Sequence, residues 1–473
     1  MAGPCSAGSE RAWRGVALIG AFLAGSALAG CQSHPDPAGG VAGAAAGTAG
    51  SAGAVGSAGS AGIVGSAGSA GVVGSAGSAG ASSQHFCDLP GSLRFTAAGS
   101  SVVPGADASK LAFLTLPAGF CAHAFGNVGN ARQLRFAPGG ELFVASPTTS
   151  TTGGGAGGLS AILVLPDDNR DGLADAAVTF VSGVRSTQGL LFANSSFYYQ
   201  DATKILRVPY ANGDRIPSGP AEVVADITYY SSSLHWPKPL DQADDGTIYV
   251  GNGSDQEETC DSSRPFHGGV LALGSELGGT QVAKGFRNPI ALRCQRGHNR
   301  CFAVELALDY SAKDGGREKL VPIRPGDDWG FPCCLGANLS APGSLAADCS
   351  GVAPEDDSFL IGDTPFAFDF EPGAWPSVYR GSIFVPLHGA AGTWEGARIV
   401  AIATDPATGL PLRGSTVDGG ETGATTNFAT GWDDRSLNHG RPAAVTFAVD
   451  GRLFVANDND GSIFWIAPLD LAR

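Results

Sequence analysis

Apolar positions in this chain come in short runs with regular punctuation. A recurring phrase sets an apolar pair, then a Gly, Asp or Pro turn, then a short β-branched or aromatic run. It spans 132–145, returns at 241–251 and appears again at 444–456. One strand–turn–strand unit used repeatedly through a long chain is the mark of a modular β architecture. Turn-and-strand signals cluster near Arg132, Gln188, Pro237, Arg287, Phe366 and Arg441. Helical periodicity is poor, because 71 Gly and 29 Pro interrupt the candidate windows. A unit of roughly 60 residues suits a four-stranded blade with long loops, and six blades closing into a β-propeller. The segment Leu114 to Phe125 is expected to supply the strand that closes the last blade. A pair of β-sandwiches is the other all-β solution, but no break in composition marks a midpoint. A closed ring has a central mouth, and the candidate chemistry is sought there.

The ends of the chain change the picture. Arg11 and Arg14 precede an apolar stretch, Val16 to Ala29, too short for a good bilayer span. It ends in Leu28-Ala29-Gly30-Cys31, which resembles a bacterial lipobox. Residues 1–30 therefore read as a lipoprotein signal peptide, with Cys31 as the lipidated new N-terminus. A cleaved signal with a chance Cys is the plainer alternative. Gln32, rather than Asp, leans the sorting towards the outer membrane, so the expected location is the cell envelope, held by lipid alone. Residues 31–84 are almost wholly Gly, Ala, Ser and Val after the first few positions, and cannot offset their chain entropy. A Gly-rich coil of roughly 45 residues reaches about 35–40 Å. Residues 85–473 are the expected propeller, long enough for a large core.

Net charge is −15 and no basic stripe is present, which argues against nucleic acid as a partner. Of ten Cys, Cys5 leaves with the signal and Cys31 takes the lipid. The remaining even set suggests disulfides in an exported chain. Cys294 and Cys301 flank a short loop and could staple a hairpin. Cys87 could pair with Cys121. Cys333 and Cys334 could form a vicinal bridge or take separate partners, Cys349 and Cys260. A zinc site is disfavoured by the lack of a CxxC pair.

Six phrases occur in a fixed order: Leu-Pro-Ala-Gly-Phe (116–120), Leu-His-Trp (234–236), Gly-Phe-Arg-Asn-Pro (285–289), Arg-Pro-Gly-Asp-Asp-Trp-Gly-Phe-Pro-Cys (324–333), Tyr-Arg-Gly-Ser-Ile-Phe-Val-Pro-Leu-His-Gly (379–389) and His-Gly-Arg-Pro-Ala-Ala-Val (439–445). Together they resemble the glucose/sorbosone dehydrogenase family, six-bladed propellers that hold pyrroloquinoline quinone (PQQ) and calcium. The resemblance covers nearly all of Leu116 to Pro468. It implies His235 as general base on a sugar hydroxyl, and Arg287 with Asn288 as cofactor ligands. It places Gln188, Arg441 and His388 around the cofactor more loosely. The implied activity is an exported PQQ-dependent dehydrogenase acting on a sugar or sugar-derived alcohol or aldehyde. No CxxCH haem motif is present, so electrons would leave to a separate acceptor.

The chain departs from the family pattern at three places. Leu234 stands where the glucose-oxidising branch has an Asp before the base. Trp236-Pro237-Lys238 replace the glycines after it. No Lys follows Lys319, so Arg398 or Arg441 would take the place of a later-blade lysine. These departures keep a second reading open: a non-catalytic propeller that binds a glycan or a partner protein at the cell surface. A calcium-dependent lactone hydrolase is a third, resting on fold alone.

His235 has a plain structural alternative, a rim histidine bonded to a carbonyl. Trp236, Trp329 and Trp394 could stack a ligand ring or pack in the core. Asp167, Asn169, Asp171 and Asp175 alternate oxygen ligands around Gly172, a spacing that wraps a hard cation. Val178 stands where a bidentate acid would complete the set, so the alternative is an Asp/Asn turn. The shorter Asn-Asp-Asn-Asp-Gly stretch (457–461) reads as a turn.

Overall fold

The computed structural model describes residues 84–148, 158–227, 235–254, 260, 268–274, 279–308, 311–344, 347–390, 392–413, 424–434 and 439–473. The signal peptide, Cys31 and nearly all of the Gly/Ala/Ser linker lie outside these residues.

The described chain is all-β apart from three one-turn 3-10 segments. Six antiparallel sheets form six blades. The innermost strands are Gln133–Phe136, Leu190–Ala193, Leu240–Gln242, Asn288–Gln295, Asp369–Phe370 and Arg441–Phe447. Each starts within a few residues of one of the six turn-and-strand signals. The recurring phrase is the hairpin of the first two strands of a blade. In the first blade Gln133–Phe136 pairs with Leu142–Ser146, and in the sixth Arg441–Phe447 pairs with Leu453–Asp458. This hairpin is legible because alternation and the Gly or Asp turn are both local.

The ring closes with one strand from the beginning of the domain. Phe120–Asn127 pairs with the last strand, Ser462–Pro468, in the sixth blade. A hairpin of Leu93–Thr96 and Gly99–Val102 extends that sheet to six strands, which the sequence did not suggest. The two ends of the domain meet there: Phe86 donates its N–H to Leu471 O at 3.1 Å. The Asn-Asp-Asn-Asp-Gly stretch is only partly a turn. Asn457 and Asp458 complete the strand and are buried; Asp460 and Gly461 turn the chain.

Aromatic side chains fill the gaps between blades. Between the first and second, Phe143 lies 5.0 Å from Phe180 and 5.1 Å from Phe197. Such pairs add about 0.5–1.5 kcal/mol each beyond their buried area. Trp236, Trp329 and Trp394 are all buried, and Trp329 and Trp394 belong to the apolar packing. The disulfides are Cys87–Cys121, Cys294–Cys301, Cys260–Cys333 and Cys334–Cys349. The adjacent cysteines thus take separate partners.

Candidate functional site at the mouth of the ring

Each innermost strand starts at the same end of the ring, and each second strand finishes there. That end is the mouth, and the register fixes which residues reach it. Inner-strand starts bring Arg132, Gln188, Lys238, Arg287, Asn288 and Arg441. Second-strand ends bring Ser146, Gln200, Asn252, Glu305, His388 and Asp458. All are buried, an unusual fate for so many polar groups. Among them are four cations (Arg132, Lys238, Arg287, Arg441) and two carboxylates (Glu305, Asp458). A chain of net charge −15 thus gathers a surplus of buried positive charge at one place.

Further along the axis the channel is closed. Arg135 pairs with Asp241 at 2.6 Å. Asp241 also accepts the N–H of Cys294 at 2.9 Å. Arg293 donates to Leu134 O at 3.1 Å and Phe368 O at 3.4 Å, tying three blades together. Side chains therefore close the inner end of the mouth.

His235 and Arg287 are linked through Ser254. His235 Nδ1 lies 2.6 Å from Ser254 O, and Ser254 donates its N–H to Arg287 O at 2.7 Å. A carbonyl can only accept, so Nδ1 carries the proton and Nε2 of the neutral ring carries the lone pair. That tautomer is the one a general base needs. Gly253 makes the seat: a Cβ there would stand 2.4 Å from the His235 Cβ. The rim-histidine bond is thus present, and it fixes the base form rather than excluding it.

Arg287 donates to Ala307 O at 2.9 Å, and its own N–H is held by Glu305 at 2.8 Å. Burial holds the Glu305 carboxyl above its ordinary range, offset in part by Lys319 and Arg287. Gln188 donates to Ile290 O at 2.9 Å, reaching from the second blade to the fourth. Its Oε1, like Asn288 Oδ1, is buried without a hydrogen-bond partner. These two amide oxygens are orphaned acceptors at the mouth.

His388 and Arg441 belong to a deeper cluster. Arg441 donates to His388 O at 2.8 Å and to Gly389 O. His388 Nε2 lies 2.8 Å from Asp458 Oδ2, and Arg132 donates to the same oxygen. Burial, with the Arg441 charge, pushes His388 down to about 3, so it is neutral at pH 7. Burial alone would raise Asp458, but His388, Arg132 and Arg441 outweigh it and hold the carboxylate at about 2. These groups set the charge at the mouth and join blades five, six and one. Arg398 is paired with Asp363 at 3.1 Å, outside this cluster.

The sequence reading overlooked Arg132, Lys238, Glu305 and Asp458. Their signal was positional: each lies at an inner-strand start or a second-strand end. Lys238 donates to Asn252 Oδ1 at 2.7 Å, and burial lowers it to about 8. It is a buried lysine in the third blade; Lys319, in the fourth, is buried too, and no Lys follows it.

The proposed calcium loop lies away from the mouth, after the strand Ala161–Leu165. Asn169 and Asp171 bond within the loop, at 2.8 and 3.1 Å, and Asp175 accepts the Asp168 N–H at 2.6 Å. The bonding is that of nested Asx turns. Among the described residues no group of three or more His, Cys, Asp or Glu side chains is arranged to hold a metal ion.

Residues 110–305 match a domain of unknown function, DUF7133. No curated protein matches the chain. Solved structures do. The calcium structure of a Trichoderma reesei carbohydrate-active enzyme of family AA12 is 18% identical, with a TM-score of 0.61 over 75% of this chain and 97% of that one. The holo form of the pyranose dehydrogenase PQQ domain from Coprinopsis cinerea is 13% identical, with a TM-score of 0.59 over 75% and 96%. A putative glucose dehydrogenase from Thermus thermophilus is 16% identical, with a TM-score of 0.52 over 74% and 100%. At these identities the likeness is one of fold: the chain is a six-bladed β-propeller.

Proposed function

We propose that this protein is an exported PQQ-dependent dehydrogenase that oxidises a sugar or a sugar-derived alcohol or aldehyde. The observation that carries the reading is the set of buried cations gathered at the mouth beside a histidine whose Nδ1 is held by a carbonyl. A polycarboxylate quinone needs buried positive charge and planar donors, and the mouth has both. The orphaned oxygens of Gln188 and Asn288 suit N–H or hydroxyl donors of a bound group. The residues present therefore fit the cofactor. Arg287 and Asn288 would touch it, with Gln188 across the mouth. Arg441 and His388 would act from behind, through charge and through the position of the wall.

When bound, the quinone supplies the hydride acceptor. His235 Nε2 takes the proton of the sugar hydroxyl, while Ser254 O holds the imidazole through Nδ1–H. The closed axis keeps bulk water from entering from below. Calcium belongs to the same proposal, with the quinone. So do lipid anchoring at Cys31, placement in the cell envelope and transfer of electrons to a separate acceptor.

The test is a titration of the purified protein with PQQ and calcium, followed by the quinone absorbance. Saturable, calcium-dependent binding that weakens in Arg287→Ala, and dye reduction lost in His235→Ala, support the proposal. Absence of quinone binding overturns it in favour of a binding propeller.

A further inference from the structure

A cleft opens at the end of the ring opposite the mouth. The innermost strand of the first blade runs from the mouth to Phe136, and that of the sixth from Arg441 to Phe447. At about 3.3 Å per residue these strands separate the two ends by roughly 10–20 Å. Beyond them the turns of the first and sixth blades enclose a cleft of about 670 Å³, within the size range of small-molecule sites.

Its lining combines apolar surface with unsatisfied polar atoms. Phe136 packs edge-on to Phe454 at 5.0 Å, and Val449 on the rim is 96% exposed. Three buried atoms in the lining make no hydrogen bond: Glu141 Oε2, Asp167 Oδ1 and Arg452 Nη1. The Asp167 and Arg452 side chains are only 13% and 11% exposed, and they stand 3.9 Å apart, beyond hydrogen-bond reach. Arg452 is held by Asp450 at 2.8 Å and lies over the Phe86 ring at 4.3 Å. Its position is therefore set without Asp167. At Gly139 a Cβ would come within 2.5 Å of Glu141 Oε2, so the turn needs glycine to leave that oxygen room.

Two acceptors and one donor, all desolvated and beside apolar surface, select against simple ions. The lining carries four arginines and four carboxylates, so a simple ion of either sign meets like charge. A neutral polyhydroxylated ligand satisfies all three, because each hydroxyl both donates and accepts. Its C–H face has Phe136 and Val449 to lie on. We infer that the cleft between the first and sixth blades is a saccharide-binding site, separate from the mouth and able to hold one or two sugar rings.

The experiment is hydrogen–deuterium exchange on the full chain, without quinone, with maltose, cellobiose and chitobiose as probes. A saccharide seated in the cleft slows exchange in the turns 137–141 and 448–452. Glu141→Gln weakens that protection about tenfold or more in sugar concentration, because a charged acceptor is lost. Val449→Glu, at a fully solvated position that cannot disturb the core, also removes it. Three results overturn the inference: no protection of these turns by any of the sugars, protection by calcium alone, or protection unchanged in both variants. None depends on whether the mouth binds PQQ.

Discussion

The cluster of Arg132, Asp458, His388 and Arg441 gives the sharpest test of how the ring is held at its mouth. Arg132 and Asp458 are 326 residues apart, and their side chains are 1% and 0% exposed. Asp458→Asn removes the one carboxylate between two buried guanidinium groups and leaves His388 without a charged partner. Breaking a buried ion pair from one side costs about 3–5 kcal/mol, because the remaining charge stays in a poorly solvated place. Unfolding entropy scales at about 2 cal/mol/K per residue, so for a domain of this size the loss lowers the thermal midpoint by roughly 5 °C. Differential scanning calorimetry reads this directly. Replacing both partners, in Arg132→Met with Asp458→Leu, is expected to restore part of the loss, since the Arg132 charge goes with its partner and only Arg441 stays buried without a carboxylate. A midpoint within about 1 °C of the parent for Asp458→Asn would refute the argument. So would simple addition of the two single effects in the double variant.

Three further outcomes follow from the same geometry. His388 titrates at about 3 when folded, against an ordinary value near 6.5. Below pH 6.5 the unfolded chain binds a proton that the folded one refuses, so stability falls as pH drops from 6.5 towards 3. The loss approaches about 5 kcal/mol and is absent above pH 7. Denaturant titrations of the parent and His388→Gln should differ in slope within that window alone. Gly253→Ala puts a methyl group against the His235 Cβ; on the proposed function, a displacement of about 1 Å lowers turnover roughly a hundredfold, measured as quinone-dependent dye reduction. Replacing both Cys87 and Cys121 by Ala opens a loop of sequence separation 34 at the closing blade. It should cost about 4 kcal/mol in the chain-entropy account, read from the denaturation midpoint.

Much of the fold was legible in the chain because a blade is built from neighbours. The six inner strands begin beside Arg132, Gln188, Pro237, Arg287, Phe366 and Arg441, where turn residues meet short apolar runs. The short disulfide Cys294–Cys301 was legible for the same reason. Of the site, His235 with Arg287 and Asn288 could be named from ordered phrases, and the structure joins His235 to Arg287 through Ser254. Arg441 and His388 were found as well, but as members of the wall. Asp458 was hidden in a stretch that reads as a turn, Arg132 was noted only as the start of a strand phrase, and Lys238 only as a departure from the family pattern.

The sequence by itself determined the unit and its repetition: alternation and turn chemistry act over a few residues and need no partner far along the chain. Only the closed ring decided which charges are buried together. Phe120–Asn127 must find Ser462–Pro468 before the last blade is complete. That pairing places Arg132 on Asp458 and sets Glu141, Asp167 and Arg452 around one cleft. Burial and electrostatic coupling depend on distance in space, and closure is the step that converts separation along the chain into contact.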